Sequence, residues 1–382
     1  MDDFYPSING VIQVMDNYAR RLSKIADVVI VVPEVNKNYI DNFPYKVIRI
    51  KSHPLRIADY HVANVLLSRK EEKMLLDEKF DIIHIHSPAI MGMHGLKIGK
   101  KLNVPVIATI HTQFQKEFKR YAKSDLIANS MIKVIMKIFN KCYKCYAVNE
   151  GIADLYYSFG AKERPEVLPN GTDLKLISSS CHKKINKKYG FKENERILLF
   201  LGRVNILKNV LFIVDVAKHL KDKGFDFKLM FVGTLEDGDV LIKKINKLGL
   251  NDDIVITGKI MDRELITEIY NRADLFVFPS IYDASSLVQI EASSQKTPTI
   301  FIDGAITACN VTNNVNGFLA PNDPKMFANR IIEIFNDPKL YKKVSEGAYR
   351  DLYKNWDDLA KEVFQEYQSI IKEYNKSKKN SK

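Results

Sequence analysis

Two acids, Asp283 and Glu291, stand eight positions apart in YDASSLVQIEASSQKTPTI, residues 282 to 300. Small polar residues and the apolar Leu287, Val288 and Ile290 lie between them. Carboxylates in such a pair can act as the acid and nucleophile flanking a sugar bond. The plainer alternative is a solvated loop and helix. Two cations, Arg203 and Lys208, occur in FLGRVNILKNV, residues 200 to 210, where a strand closes at Gly202 and a helix opens. Arg can grip two phosphate oxygens at once and Lys acts as a mobile point charge, so the pair suits a diphosphate. Its bland counterpart is a solvated helix start.

Other candidates follow apolar runs. His111 ends VPVIATIH, where a histidine can donate to an oxygen or carry a proton. His84 and His86 alternate with Ile83 and Ile85 and so face together, His86 nearer the strand's end. Without a convergent third ligand they argue against a metal, and His86 reads first as a satisfied polar group. Gly10 in YPSINGV falls in a turn that lets backbone approach a phosphate or sugar, and Gly233 opens the loop VGTLEDGD. No GxGxxG fingerprint is present. Cys142 and Cys145 form a lone CxxC; with Cys181 and Cys309 they are too sparse for a disulfide framework or a four-ligand zinc site.

Positioning these residues requires α/β architecture. With 382 residues, 46% hydrophobic, the chain is long enough for about two domains. In the first half, residues 26–33, 81–86, 104–111, 125–130 and 145–149 look like buried strands. Helical spacing marks YHVANVLLSRKEEKMLLDE (60–78) and GMHGLKIGKKLN (92–103). The pattern restarts after PNGTD, with strands at 196–202, 227–233, 253–258, 273–280 and 297–302 and helices at 209–224, 264–273 and 323–337. The expectation is two Rossmann-like α/β domains facing a central cleft, 1–175 and 176–355, with the linker inside the polar stretch 170–190. An amphipathic helix over 356–382, pinned by Trp356, ends in a frayed tail from Tyr374.

Charge is uneven. Residues 1–190 carry 30 Lys plus Arg against 19 Asp plus Glu, a net +11, whereas residues 191–382 carry 28 against 27. Within 116–146 the net is +6, around an apolar stripe of Met131, Ile132, Ile135, Ile138 and Phe139 edged by Lys133, Lys137, Lys141 and Lys144. Bulky apolar groups beside lysines suit an anionic bilayer surface. No nucleic-acid motif is present. Met1-Asp2-Asp3 does not open like a signal peptide, and no apolar run is long enough to span a membrane. The expected location is cytoplasmic, peripheral at the inner face of the cell membrane.

Taken in order, YPSINGV, HIHSPAIMGMHGLKIGKKLNVPVIATIHT, LPNGTD, LGRVNILKN, LFVFPSIYDASSLVQIEASSQKTPTI and NGFLAPND resemble the GT-B retaining glycosyltransferases of family 4. The resemblance runs through nearly the whole chain. It implies that Gly10, Gly202, Gly233, Leu287 and Val288 line a nucleotide-sugar site and that Arg203 and Lys208 hold its diphosphate. It further implies that Glu291 binds the ribose, Asp283 contacts the donor sugar, and His111 lies near the transferred sugar. Arg203, Lys208, Asp283 and His111 are then the catalytic set. Charge on a departing diphosphate is what such cations stabilise, and a hydrolase has no nucleotide to hold, so transfer fits better than hydrolysis. The family's EGFG is replaced by Asp283-Ala284-Ser285-Ser286. UDP-hexose, with glucose favoured, is the expected donor, GDP-mannose the other possibility, and no metal is required. The acceptor expected is a membrane lipid or lipid-linked glycan. A nucleotide-sugar 2-epimerase or a catalytically weak sugar-nucleotide-binding protein are the competing readings. The resemblance also brings the C-terminal helix back to the first domain.

Overall fold

The computed structural model describes residues 1–35, 39–54, 61–122 and 124–380. The chain forms two compact units, Met1–Asn170 with Trp356–Lys382, and Gly171–Asn355. Residues 171 to 175 fold with the second unit, where the Thr172 amide donates to the Lys354 carbonyl at 2.9 Å.

In the first unit α1 (Gly10–Leu22) precedes β1 (Val29–Pro33) and β2 (Lys46–Ile50), which pair in parallel. A short antiparallel pair follows, β3 (Ser52–Pro54) and β4 (His61–Ala63). The helix read over 60–78 therefore begins only at α2 (Arg69–Asp77); Tyr60 lies outside the described residues. A capping box between Ser68 and Glu71 fixes that start, because it satisfies the first free amides. Next come β5 (Ile83–Ile85), α3 (Ile90–Leu102), β6 (Val106–Ile110), α4 (Phe114–Ala122), α5 (Asp125–Phe139), β7 (Lys144–Ala147), α6 (Glu150–Ser158) and β8 (Glu166–Val167). β5 to β8 form one parallel sheet in chain order. Residues 125–130, read as a strand, open α5 instead. Ser124 caps its start, and Ala128, Ile132, Ile135 and Phe139 recur at helical spacing on the buried face.

The first α-helix of the second unit is α7 (His182–Tyr189), inside the stretch expected to be an irregular linker; Ile185 anchors it in the core. It continues through β9 (Arg196–Leu201), α8 (Val210–Asp222), β10 (Phe227–Val232), α9 (Gly238–Lys247), β11 (Ile254–Ile256), α10 (Arg263–Arg272), β12 (Leu275–Phe278), α11 (Leu287–Ser294), β13 (Thr299–Ile302), β14 (Phe318–Ala320), α12 (Pro324–Asn336) and α13 (Pro338–Leu352). Its sheet is parallel throughout, in the order β11-β10-β9-β12-β13-β14. Phe200, Phe231, Phe276 and Phe301 are fully buried within it, as expected for strands covered on both faces.

The chain then returns to the first unit as α14 (Trp356–Asn380), which packs on α1. Trp356 meets Tyr18 edge to face at 5.1 Å, and Arg21 pairs with Asp357 at 2.6 Å. The tail read as frayed is helical to Asn380, and Lys378 hydrogen-bonds the Asn103 carbonyl; residues 381 and 382 lie outside the described residues. The two units are thus both Rossmann-like α/β structures, with the C-terminal helix on the first.

Candidate functional site

In the second unit, strand order reverses between β9 and β12: the chain runs outward from β9 through β10 to β11, then restarts at β12 on its other side. Open parallel sheets bind ligands outside the carboxyl ends of their strands at such a switch point. The segments after β9 and β12 carry Lys208 and Asp283, and the structure brings them together. Lys208 Nζ lies 2.6 Å from Asp283 Oδ1 and 2.7 Å from Oδ2, with both side chains mostly shielded from solvent. The same ammonium sits 5.5 Å above the Phe278 ring.

The loop that presents Lys208 is built by local hydrogen bonds. Asn205 Oδ1 accepts from the Lys208 amide at 3.1 Å, while its Nδ2 donates to Glu236 at 2.6 Å. Asp237 accepts from the Ile206 amide at 2.8 Å, so the segment after β10 braces the segment after β9. Asn209 turns the chain into α8 at φ +60°, a left-handed conformation that asparagine tolerates. Arg203 is more exposed and reaches Glu236 only at 3.5 Å.

Two glycines make the floor. Gly202 and Gly233 adopt φ of +145° and +143°, and the Val232 carbonyl accepts from the Gly202 amide at 2.9 Å. A Cβ on Gly233 would sit 1.7 Å from the Gly202 carbonyl oxygen, so no other residue fits there. The result is bare backbone where a phosphate can approach closely. Gly10 is different. It is the first residue of α1, not part of a turn, with Asn9 capping the helix, and a Cβ there would meet nothing within 4 Å.

Leu287 and Val288 open α11, where Ser286 caps the Gln289 amide. Their amides belong to the first turn, whose N–H groups have no partner inside the helix and favour an anion. One turn on, Glu291 is buried with both oxygens engaged. Arg263 donates to Oε1 at 2.9 Å and the Tyr270 hydroxyl donates to Oε2 at 3.0 Å. Burial first and the Glu291 charge second push the Tyr270 hydroxyl well above its usual range. Burial works to lower the Arg263 pKa, but Glu291 and Asp173 outweigh it and raise it. Arg263 also reaches Asp173 of the PNGTD segment at 2.7 Å. Arg263, Tyr270 and Glu236 escaped the sequence reading: a charged helix start, a tyrosine in an amphipathic helix and an acid in a polar loop carry no local signal. Asp173 was visible only as part of a turn.

In the first unit His111 follows β6, and His86 follows β5 beside it. His86 Nδ1 and His111 Nε2 are 3.0 Å apart, so one of these nitrogens carries the shared proton. The His84 ring lies tilted against that of His86, centroids 4.1 Å apart, and is fixed by Thr109 at 2.7 Å and by Tyr367 of α14 at 2.5 Å. Burial pushes His111 down to about 4. Burial, with the charge of His111 second, pushes His84 down to about 3. The histidines are therefore neutral at pH 7. His86 is a satisfied polar group, and its partner is the predicted site residue itself.

No group of three His, Cys, Asp or Glu able to hold a metal occurs among the described residues. All four cysteines are free thiols. The apolar stripe read from 131 to 139 divides: Ile132, Ile135, Ile138 and Phe139 are core, and Met131 alone of the five is exposed. α5 instead exposes Leu126, Ile127, Met131 and Val134, which are 79%, 50%, 40% and 60% open. Lys144 is occupied by Glu166 and Glu366 at 2.8 and 2.7 Å. Among the described residues no helix is long and apolar enough to cross a membrane.

Comparison with known proteins covers both units. Residues 8–176 match the family described as Glycosyltransferase Family 4, and residues 182–351 match Glycosyl transferases group 1. An alpha-monoglucosyldiacylglycerol synthase of Streptococcus pneumoniae is 27% identical over 78% of this chain and 69% of its own. The enzyme of the same name from Acholeplasma laidlawii is 24% identical over 90% of this chain and 89% of its own. Among solved structures, Anabaena HepE in complex with UDP and glucose superposes with a TM-score of 0.74 at 16% identity, covering 96% of this chain and 98% of that one.

Proposed function

We propose, from the premise that this chain belongs to the GT-B glycosyltransferases of family 4 and group 1, that it transfers glucose from UDP-glucose to a membrane lipid with retention of configuration. The observation that carries the donor half is the Lys208–Asp283 pair at the β9/β12 switch point, above the Gly202–Gly233 floor. An arriving diphosphate takes the Lys208 ammonium, with Arg203 and the first amides of α11 as further donors. These groups stabilise the charge that builds on the departing UDP, so transfer needs no metal. With Lys208 turned to the diphosphate, Asp283 accepts from the donor sugar's hydroxyls. Glu291, oriented by Arg263 and Tyr270, accepts from the ribose. His111, neutral and tied to His86, serves as a hydrogen-bond partner near the transferred sugar.

The relatives named for synthesis of a monoglucosyldiacylglycerol and the UDP-and-glucose complex of HepE support this donor and a diacylglycerol-type acceptor. The basic first unit and the exposed Ile127, Met131 and Val134 of α5, with Lys133 and Lys137 alongside, support a site of action at an anionic membrane face. The test is incubation of the protein with UDP-glucose and diacylglycerol in phosphatidylglycerol vesicles, with products read by mass spectrometry. A glucosyl lipid is expected. Epimerised nucleotide sugar, transfer from GDP-mannose in preference, or no turnover of any donor would each overturn the reading.

A further inference from the structure

Alternation along two strands gathers the polar groups around His111. His84 and His86 are two positions apart on β5 and its end, and Thr109 and His111 are two apart on β6 and its end, so each pair lies on one face. β5 and β6 are parallel neighbours with Ile85 opposite Ala108, which sets the two pairs side by side.

The contact between His86 and His111 has the geometry of a directed hydrogen bond. His86 Nδ1 and His111 Nε2 are 3.0 Å apart, while the ring centroids are 5.3 Å apart and the planes 26° from parallel. The rings therefore meet edge to edge and nearly in plane, which aims the N–H of one along the lone pair of the other. His84 meets His86 ring against ring, with centroids 4.1 Å apart and planes 32° from parallel. Tyr367 takes His84 Nδ1 at 2.5 Å and Thr109 takes its Nε2 at 2.7 Å, so this ring cannot turn without breaking a bond. His84 thus backs His86, and His86 holds His111.

Burial first, then the neighbouring His84 and His111, pushes His86 well below its usual range, so it is neutral like the other two. Two neutral imidazoles have one proton for the bond between them. Whichever ring supplies it, the state of His111 Nε2 dictates the opposite state at His111 Nδ1. Nδ1 has no protein partner among the described residues, and His111 is only half-buried. A ligand that reaches the polar edge of this ring meets Nδ1.

We propose that His86 is a positioning residue for the transfer: it takes Nε2 of His111 and so presents Nδ1, in one tautomer and one ring plane, to the transferred sugar. The inference rests on the reading that puts His111 beside that sugar. An imidazole free to exchange its tautomers is a donor in some molecules and an acceptor in the rest, so a sugar hydroxyl finds its match in only a fraction of them. Fixing one form before the donor arrives removes that loss.

The experiment uses the full chain with 15N-labelled histidine. Two-bond 15N–1H spectra at pH 7 report which nitrogen of His111 carries the proton. The unaltered protein should show a single tautomer at His111, and His86→Leu should show exchange between two. In turnover of UDP-glucose with diacylglycerol vesicles, His86→Leu should lower kcat about tenfold with KM for UDP-glucose unchanged. His86→Asn, whose side-chain amide reaches the place of Nδ1, should recover most of that loss. In a His111→Gln background His86→Leu should cost nothing further, because it acts only through His111. Exchanging tautomers in the unaltered protein would overturn the proposal, and so would an additive loss in the double variant. A fall in Tm shared by His86→Leu and His86→Asn, with the His111 spectrum unchanged, would reduce His86 to packing. The spectra need no turnover. A single tautomer released by His86→Leu, with kcat unmoved by either His86→Leu or His111→Gln, would overturn the sugar-side role of His111 while its hold by His86 stands.

Discussion

The two units handle polar groups in opposite ways. The second holds an unbroken parallel sheet and gathers charge at one place along its edge, where Lys208 faces Asp283 and Arg263 faces Glu291. The first divides its sheet around a cavity and lines up three histidines that burial keeps neutral. A departing diphosphate needs fixed positive charge, whereas a group beside a sugar being transferred needs only a defined hydrogen-bond direction. On the proposed function, the larger electrostatic work falls to the second unit and the finer orientation to the first.

The sharpest way to break that assignment is Lys208→Ala. Loss of a cation aimed at developing charge should lower kcat/KM for UDP-glucose by roughly 10²- to 10³-fold, about 3–4 kcal/mol. Asp283→Asn keeps the cation and should cost less. If Lys208→Ala retained most of its turnover while His111→Ala lost it, the main electrostatic burden would belong to the first unit.

Acid should act on the first unit. The folded values of about 4 for His111 and about 3 for His84 lie below the ordinary 6.5. Below pH 6.5 the unfolded chain binds protons that the folded chain refuses, so stability is complete above that pH and is lost as pH falls toward 4. At about 1.4 kcal/mol per pKa unit, His111 alone accounts for a loss on the order of 3 kcal/mol across that window. Urea unfolding at pH 7 and pH 4 measures it, and His111→Gln should flatten the profile. An unchanged slope in that variant would show that the neutral histidine stack is not what separates the units.

The second unit was far more legible in the sequence, and the reason is physical. Its strands are buried on both faces, so RILLFLG, FKLMFVG and LFVFPS stand out as apolar runs ended by glycine, proline or serine. The first unit mixes signals. Residues 125–130 share a strand's apolar content but sit behind Ser124, whose cap starts a helix. His61 to Ala63 pair with Ser52 to Pro54 across a separation that periodicity cannot detect. The site divided likewise: Arg203, Lys208 and Asp283 were visible as charges in the segments after strands and Glu291 as the second acid of its stretch, but the bonds they make were not. Arg263 and Tyr270 become site residues only because α10 packs beside α11, a long-range fact with no local trace.

Glu291 gives the smallest predicted effect and the finest test. Its carboxylate receives Arg263 on one oxygen and Tyr270 on the other, and Arg263 is about half exposed, with 51% of its side chain open, so solvent screens much of that ion pair. Glu291→Gln keeps the size and one accepting oxygen but removes the charge. If the acid accepts from the ribose, KM for UDP-glucose should rise about tenfold, ~1.4 kcal/mol, with kcat nearly unchanged, because the contact is equal in ground and transition states. If it only anchors α10 to α11, Tm should fall while KM stays put. Arg263→Ala separates these further: it removes the partner that orients the carboxylate without touching the nucleotide. A matching rise in KM from Arg263→Ala would mean that part of donor affinity resides in orientation of Glu291, which would give the charged unit the same kind of positioning role that His86 has toward His111.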